Sequence, residues 1–183
     1  MTQDDRELLS RMAKGDQTAL DAYYRLNEGR VYRFIRSKLN DSFDASDVLN
    51  EVMFEVWRSA SRFEGRSSVS TWVLGIAHHK TIDRIRRRKP GESVELDPEI
   101  AEDDSPNAAE TLSAAQDAEQ VRRCVDQLSE AHRSVVHLAF FEDLPYGEIA
   151  AIVGCPEGTV KTRMFHAKKA LMKCLAGLKE MGL

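Results

Sequence analysis

The hydrophobic residues of this 183-residue chain recur mainly at the three- and four-residue spacing of amphipathic helices. In the clearest case, four small apolar residues fall on one helical stripe: Val48, Val52, Val56 and Ala60. Ser46 comes just before this stripe and is the predicted N-cap of its helix. The same spacing predicts further helices at about 7–13, 18–39, 70–88, 110–128, 130–141, 146–153 and 157–177. These helices predict an all-α fold.

The helical pattern stops between the two groups of helices. Residues 90–119 contain ten acidic residues and no Lys or Arg, and three prolines fall between Pro90 and Pro106. Such a segment has too little apolar surface to fold alone and is extended by its own charge. We therefore predict an N-terminal helical domain at 1–89, a flexible acidic linker at 90–109 and a C-terminal helical domain at 110–183.

The distribution of charge changes the meaning of the formal net charge of −4. Residues 1–89 have 17 Lys and Arg against 13 Asp and Glu, a net charge of +4. Residues 120–183 have nine against seven, a net charge of +2, whereas residues 90–119 have a net charge of −10. The two domains are thus basic, and the acidic segment between them hides this in the total.

The C-terminal domain contains the pattern of a helix-turn-helix between Pro145 and Lys169. Pro145 suits the first turn of a short helix, and Gly154 suits a left-handed C-cap at its end. Cys155 and Pro156 then begin a second helix. A short helix, a tight glycine turn and a second helix form the common DNA-binding unit.

A helical wheel divides the second helix of this unit into two faces. The core face comprises Val160, Met164, Ala167, Leu171 and Cys174, and the other face comprises Lys161, Thr162, Phe165, His166, Lys169 and Lys173. An exposed Phe165 is costly without a partner, and a base edge or thymine methyl group would supply one. A merely solvated basic face is the alternative, but the turn and the aromatic ring favour duplex DNA.

The helix at 70–88 predicts a second nucleic-acid contact. Its wheel buries His78 and exposes Trp72, His79 and Arg86. The end of this helix has five cations in the six residues 84–89, more than the helix dipole needs. An exposed Trp and His beside such a basic end suit phosphates and an unstacked base. The polar loop Phe63–Ser68 lies just upstream and is predicted to close over this pocket.

The remaining patterns limit other functions. Cys124, Cys155 and Cys174 match no zinc or redox spacing and are predicted to be small buried hydrophobes. No apolar run reaches about 20 residues and the N-terminus lacks a signal-peptide pattern, so we predict a cytoplasmic protein without membrane insertion. His79 and Asp83 are four residues apart and would suit a metal, but no third ligand or phosphate loop accompanies them. We therefore expect neither an enzyme nor a cofactor.

Two sets of motifs resemble the extracytoplasmic-function (ECF) sigma factors of the sigma-70 family. Their second conserved region resembles the strings 44–53, 62–68 and 71–77, which include Asp47, Glu51, Phe63 and Trp72. Their fourth region resembles the strings 128–133, 148–150 and 158–163. The resemblance covers both domains in the expected order, and it implies that the chain joins core RNA polymerase and initiates transcription at promoters.

The resemblance also implies roles for individual residues. The first domain would recognise and melt the −10 element through Phe63, Gly65, Arg66, Ser67, Trp72, His79, Arg84, Arg86, Arg87 and Arg88. The second would bind the −35 element through Lys161, Thr162, Arg163, Phe165, His166 and Lys169. The polymerase contacts would be the β′ clamp coiled coil, met by Asp47, Asn50 and Glu51, and the β flap. An anti-sigma factor is a further expected partner.

Two residues depart from the family pattern. The family often has Gln at the position of Asn50, and this difference affects the expected contact with the β′ clamp. The family often has Asn at the position of His79, and this difference affects which base, turned out of the −10 strand, would be recognised. The alternative function is a conventional helix-turn-helix regulator that uses residues 1–89 for dimerisation or ligand sensing. The exposed Trp72 and His79 on a basic helix argue against such a sensor.

Overall fold

The computed structural model describes residues 3–39, 41–88 and 116–180. Every regular element within these ranges is helical, which confirms the predicted all-α fold. The helices form two compact units: the described residues up to 88 are grouped with Ala151–Gly154 in the first, and the other described residues from 116 onward form the second. The predicted acidic linker at 90–109 lies outside the described residues.

The N-terminal unit consists of helices that pack side by side. Its elements are α1 (Gln3–Ala13), α2 (Gln17–Arg36), α3 (Ser42–Ser59), a 3-10 turn (Ala60–Arg62) and α4 (Val69–Arg88). Helix α3 packs against both α2 and α4, and α1 packs against α2 and the 3-10 turn. The predicted stripe on α3 is confirmed, because Val48, Val52 and Val56 are fully buried and Ala60 is 5% exposed.

The predicted start of α3 is wrong by one helical turn. Asp41, not Ser46, is the N-cap, and its carboxylate accepts hydrogen bonds from the amides of Phe43 (2.8 Å) and Asp44 (3.1 Å). These bonds hold the pKa of Asp41 below its ordinary value. Ser46 lies inside the helix, where its hydroxyl donates to the carbonyl of Ser42 at 3.0 Å. Asp and Ser are both common N-cap residues. Asp41 is the cap here because the helix begins at Ser42 and continues through Ser46 without a break.

The helices of the C-terminal half of the chain are α5 (Gln116–Asp126), α6 (Glu130–Phe140), α7 (Tyr146–Val153) and α8 (Glu157–Glu180). Helix α8 packs against α5 and α6. The core of the C-terminal unit includes Val135, Leu138, Ile149 and Val160, which are all fully buried. The predicted helices of this unit are confirmed to within a few residues, apart from residues 110–115, which are not described.

The prediction that all three cysteines are isolated buried hydrophobes is wrong. Cys124 on α5 and Cys174 on α8 form a disulfide across the contact between these helices. Cys155 has a free thiol and is half-buried. The two bonded cysteines are 50 residues apart in the sequence, so their spacing carried no sign of the pair. Only the packing of α5 on α8 brings them together.

Candidate nucleic-acid interface

The turn between α7 and α8 has the geometry of a helix-turn-helix. The carbonyl of Pro145 accepts from the amides of Glu148 (2.9 Å) and Ile149 (3.1 Å), so α7 starts directly after the proline. Gly154 has a φ of +69°, which confirms the predicted left-handed C-cap. Helix α8 begins at Glu157, directly after Pro156. Ile149 of α7 is fully buried, whereas Gly154 and Pro156 of the turn are exposed.

The first half of α8 has the two faces that its wheel predicted. Val160, Met164 and Ala167 are at most 2% exposed. The opposite side is open to solvent and contains Lys161, Phe165, His166 and Lys169. Phe165 is 42% exposed, with its ring 5.5 Å from that of His166. The ring is therefore presented on the surface among cations.

Three predicted α8 residues are partly engaged within the unit. Lys161 Nζ lies 3.2 Å from Glu157 Oε1 in an exposed i,i+4 ion pair, which is weak enough to exchange for another anion. The hydroxyl of Thr162 donates to the carbonyl of Gly158 at 3.1 Å. Arg163 is half-buried, and its Nη1 lies 3.8 Å from the Cys155 sulfur, so it braces the turn.

The loop before α4 is anchored at both ends. The Phe63 ring lies 5.2 Å from the Trp72 ring at an angle of 51°. Ser68 Oγ accepts from the amide of Thr71 at 2.9 Å and so caps the first turn of α4. Between these anchors, Gly65 has a φ of +71° and Arg66 is exposed, in an ion pair with Glu64. The loop thus holds Phe63 beside Trp72 and leaves its polar tip open. Trp72 is half-buried and not exposed as its wheel predicted, because the Phe63 ring packs against it.

The two adjacent histidines of α4 have the different environments that the wheel predicted. His78 is 8% exposed, and its Nδ1 lies 3.0 Å from Nζ of the buried Lys38. His79 is exposed on the outer face of the helix. Only His79 is accessible to a base.

The basic end of α4 is divided between two environments. Arg86 and Arg87 are exposed, and within the described residues no ion pair involves either of them. Arg88 instead pairs with Asp44 of α3 and lies 3.9 Å from Asp41. Arg84 also points to α3, with Nη2 2.7 Å from Glu51 Oε1. The cluster that the sequence presents as one patch thus has a solvent-exposed part without ion pairs among the described residues and a part paired with α3.

The residues predicted to contact polymerase lie along α3. Asp47 and Glu51 have side chains that are 68% and 42% exposed, and both lie within 3.8 Å of the Arg84 guanidinium. Contact with Glu51, then with Asp44, raises the pKa of Arg84. Asn50 is exposed, and its Oδ1 accepts a hydrogen bond from the Tyr24 hydroxyl at 3.2 Å. Its amide nitrogen is left available as a donor.

Sequence reasoning missed several residues around this surface. Phe43 and Phe54 are 83% and 65% exposed and share the outer face of α3 with Asp47 and Asn50, at positions i, i+4, i+7 and i+11. The helical spacing of these residues was a usable signal, because two aromatic residues on a polar face mark a partner surface. Tyr24, from the neighbouring helix α2, gave no such signal.

Neither a metal-binding cluster nor a helix able to span a membrane is found within the described residues. No group of three or more His, Cys, Asp or Glu side chains lies close enough to hold a metal ion in the described ranges. None of the described helices combines the length and apolar character needed to cross a membrane.

Comparison with known proteins decides the family. Residues 23–90 match sigma-70 region 2, and residues 118–171 match sigma-70 region 4. The chain is 31% identical over 171 residues to the ECF RNA polymerase sigma factor SigK of Mycobacterium tuberculosis, an alignment that covers 92% of this chain and 91% of the relative. The chain belongs to the ECF sigma factors of the sigma-70 family. SigK of Mycobacterium ulcerans is 30% identical over the same length.

Solved structures show the same fold as this sigma factor. CnrH in complex with the cytosolic domain of CnrY has a TM-score of 0.68 at 20% identity and covers 95% of this chain and 98% of that one. The Bartonella quintana sigma factor RpoE, in complex with the anti-sigma factor NepR, has a TM-score of 0.65 at 24% identity and covers 85% and 96%. The protein is thus an RNA polymerase sigma factor, of a family that is not an enzyme family. The conventional regulator is not favoured.

The turn of the helix-turn-helix gives a test of local geometry. We expect Gly154→Ala to destabilise the C-terminal unit by about 1–2 kcal/mol, the cost of a left-handed conformation for a residue with a Cβ. Hydrogen exchange of the α7 and α8 peptides in the full chain measures this change. Gly158→Ala is the matched control, because an added Cβ there meets nothing within 4 Å and the backbone does not need a positive φ. Equal exchange in the two variants would contradict the prediction.

Proposed function

We propose that this sigma factor directs core RNA polymerase to promoters through one DNA contact in each helical unit. The observation that carries the proposal is the exposed face of α8 directly after the helix-turn-helix turn. Phe165 is 42% exposed there, beside Lys161, His166 and Lys169. In such a unit the start of the second helix enters the major groove. This face would bind the −35 element, with Phe165 on bases and the cations on phosphates or guanine.

The N-terminal unit would recognise and melt the −10 element. Single-stranded bases bind to aromatic platforms flanked by cations. Phe63 and Trp72 are half-buried neighbours, and His79, Arg86 and Arg87 are exposed on the same helix as Trp72. The loop at 63–68 and His79 would hold a base turned out of the strand. The arginines would grip its phosphates.

Core polymerase would dock on both units. Asp47, Asn50 and Glu51 would meet the β′ clamp coiled coil, since their exposed groups on α3 suit a basic partner. The β flap would bind the C-terminal unit, where Phe140 and Phe141 are 63% and 69% exposed at the end of α6. Adjacent exposed aromatic side chains of this kind are typical of a protein contact.

A regulator would also bind this sigma factor. RpoE of Bartonella quintana was solved in complex with the anti-sigma factor NepR, and it shares the fold of this chain. By analogy we propose an anti-sigma factor for this protein as well, acting in the cytoplasm. This part of the proposal is supported by similarity of fold, and the DNA and polymerase contacts are supported by the exposed residues themselves.

Run-off transcription with core polymerase on a randomised promoter library tests the function. With the chain present, we expect transcripts from promoters that are enriched for two separate sequence blocks, one for each unit. Core polymerase without the chain is the background control. A conventional regulator added to core polymerase, with no other sigma factor present, would not start transcription. If the chain and core polymerase together give no transcripts above the background, the proposal is contradicted.

Phe165→Ala tests the −35 contact. We expect loss of about 1–3 kcal/mol of binding to a −35 duplex, the range for one specific base contact. The duplex is the −35 block selected above, and binding of the full chain in its holoenzyme is measured by footprinting. Met172→Ala is the matched control, because Met172 is 56% exposed two turns further along α8, away from the end that enters the groove. An unchanged footprint for Phe165→Ala would remove this residue from the site.

Combined replacement of Arg86 and Arg87 by Ala tests the phosphate contacts of α4. Each cation that leaves a phosphate lowers the salt slope of binding by about 0.7–0.9. We therefore expect weaker promoter binding on all sequences and a slope reduced by roughly 1.4–1.8 in magnitude. Arg58→Ala is the control, since Arg58 is exposed but pairs with Glu55 on α3. A slope equal to that of the unchanged protein would show that the two arginines do not face phosphate.

A further inference from the structure

Arg84 lies at the centre of an ion-pair cluster between α4 and α3. Its Nη2 lies 2.7 Å from Glu51 Oε1, and its Nη1 lies 3.1 Å from Asp44 Oδ1 and 3.8 Å from Asp47 Oδ2. Its side chain is 21% exposed, much less than that of Arg88 at 50%. The guanidinium therefore faces the carboxylates of α3 and has little surface left for DNA.

The three carboxylates around Arg84 differ in how much they are buried. Asp44, Asp47 and Glu51 follow one another at i, i+3 and i+7, so they line one edge of α3. The Asp44 side chain is 10% exposed, whereas those of Asp47 and Glu51 are 68% and 42% exposed. Asp44 is thus the inner anchor of the guanidinium, and the other two carboxylates extend from it to the surface.

The cluster keeps an excess of negative charge at its outer edge. Arg88 also pairs with Asp44 and neutralises part of the Asp44 charge. Much of the positive charge of Arg84 therefore remains to attract Glu51 and Asp47. The fork of an arginine can fix two carboxylates at once, which a lysine ammonium cannot do with the same geometry. Here the fork binds Asp44 and Glu51, and Glu51 would otherwise be a flexible surface side chain that must be ordered when a partner binds.

We propose that Arg84 is a positioning residue of the core-polymerase surface and not a contact to the −10 element. It holds Glu51 in one orientation beside the buried Asp44 and so prepares Glu51 for a basic partner. This inference rests on the proposed function, because it takes the polymerase to be the partner of those carboxylates. The basic end of α4 would then have two roles: Arg84 orients residues of the polymerase surface, and Arg86 and Arg87 contact DNA.

The expected size of the effect follows from the side chains that lose their order. Ordering one rotamer-rich side chain on binding corresponds to roughly a 2- to 12-fold change in affinity. We therefore expect Arg84→Ala to weaken binding of the full chain to core polymerase by about 3- to 10-fold. Arg84→Lys keeps the charge but not the fork, and we expect it to remain weaker than the unchanged protein.

A double-mutant cycle separates positioning from a structural role. Core-polymerase affinity is measured by fluorescence anisotropy for the labelled full chain and for Arg84→Ala, Glu51→Gln and the double variant. Each titration counts only folded protein, as judged by circular dichroism. If Arg84 acts through Glu51, the double variant loses clearly less than the product of the two single losses. A role in stability alone changes the unfolding midpoint and leaves the affinity of the folded chains within twofold.

A second arm examines DNA. Holoenzyme is assembled at saturating core polymerase, and promoter binding is measured against salt for Arg84→Ala and for Arg87→Ala. We expect Arg84→Ala to keep the original salt slope and Arg87→Ala to lower it. A lower slope for Arg84→Ala with unchanged core affinity would overturn the inference and restore the −10 role.

The remaining outcomes are also decisive. Independent losses in the cycle, a tighter complex for Arg84→Ala, or full rescue by Arg84→Lys would each overturn a positioning role. If the unchanged chain fails to bind core polymerase, the proposed function falls and the inference falls with it. If the unchanged chain binds and Glu51→Gln weakens binding while Arg84→Ala does not, only the inference falls.

Discussion

The packing of α3 against α2 and α4 determines how the N-terminal unit meets its partners. Val48, Val52 and Val56 are fully buried in this contact. With 3.6 residues per turn, a helix that buries this stripe must turn the opposite stripe outward, and Asp47 and Asn50 lie on it. The apolar contact thus sets the orientation of the polar face, and no charged pair is needed to choose it. Core packing fixes which face of α3 each side chain lies on, and the ion pairs then limit the orientation of those side chains.

The sequence predicted those features of the fold that depend on nearby residues. The α3 stripe, the different environments of His78 and His79 on α4 and the two faces in the first half of α8 all repeat every three or four residues, so periodicity predicted them. The turn at Gly154 was predictable for a similar reason, because a left-handed residue between two short helices needs glycine. Phe165 and His79 were placed on exposed faces by the same reasoning.

Features that join distant parts of the chain were not predictable in this way. Arg84 and Asp44 are 40 residues apart, and Cys124 and Cys174 are 50 residues apart. Neither pair has a local spacing that points to its partner. The prediction of where α3 begins was wrong for a different reason. Asp41 and Ser46 are both good N-cap residues, and only the folded chain selects one of them. The hydrophobic pattern thus could not predict contacts between distant parts of the chain, and it could not choose between two equally good N-cap residues.

The divided basic end of α4 shows what a count of cations leaves out. Five cations occur in residues 84–89, and if all met phosphate they would add about 3.5–4.5 to the salt slope. A cation that is already paired with a carboxylate releases no counterion unless that pair opens. Arg84 and Arg88 are paired with Asp44, so the exposed arginines of α4 that make no ion pair within the described residues are Arg86 and Arg87. Acids on α3 therefore limit the positive charge that α4 exposes, and two of the acids near Arg84, Asp47 and Glu51, belong to the surface proposed for polymerase.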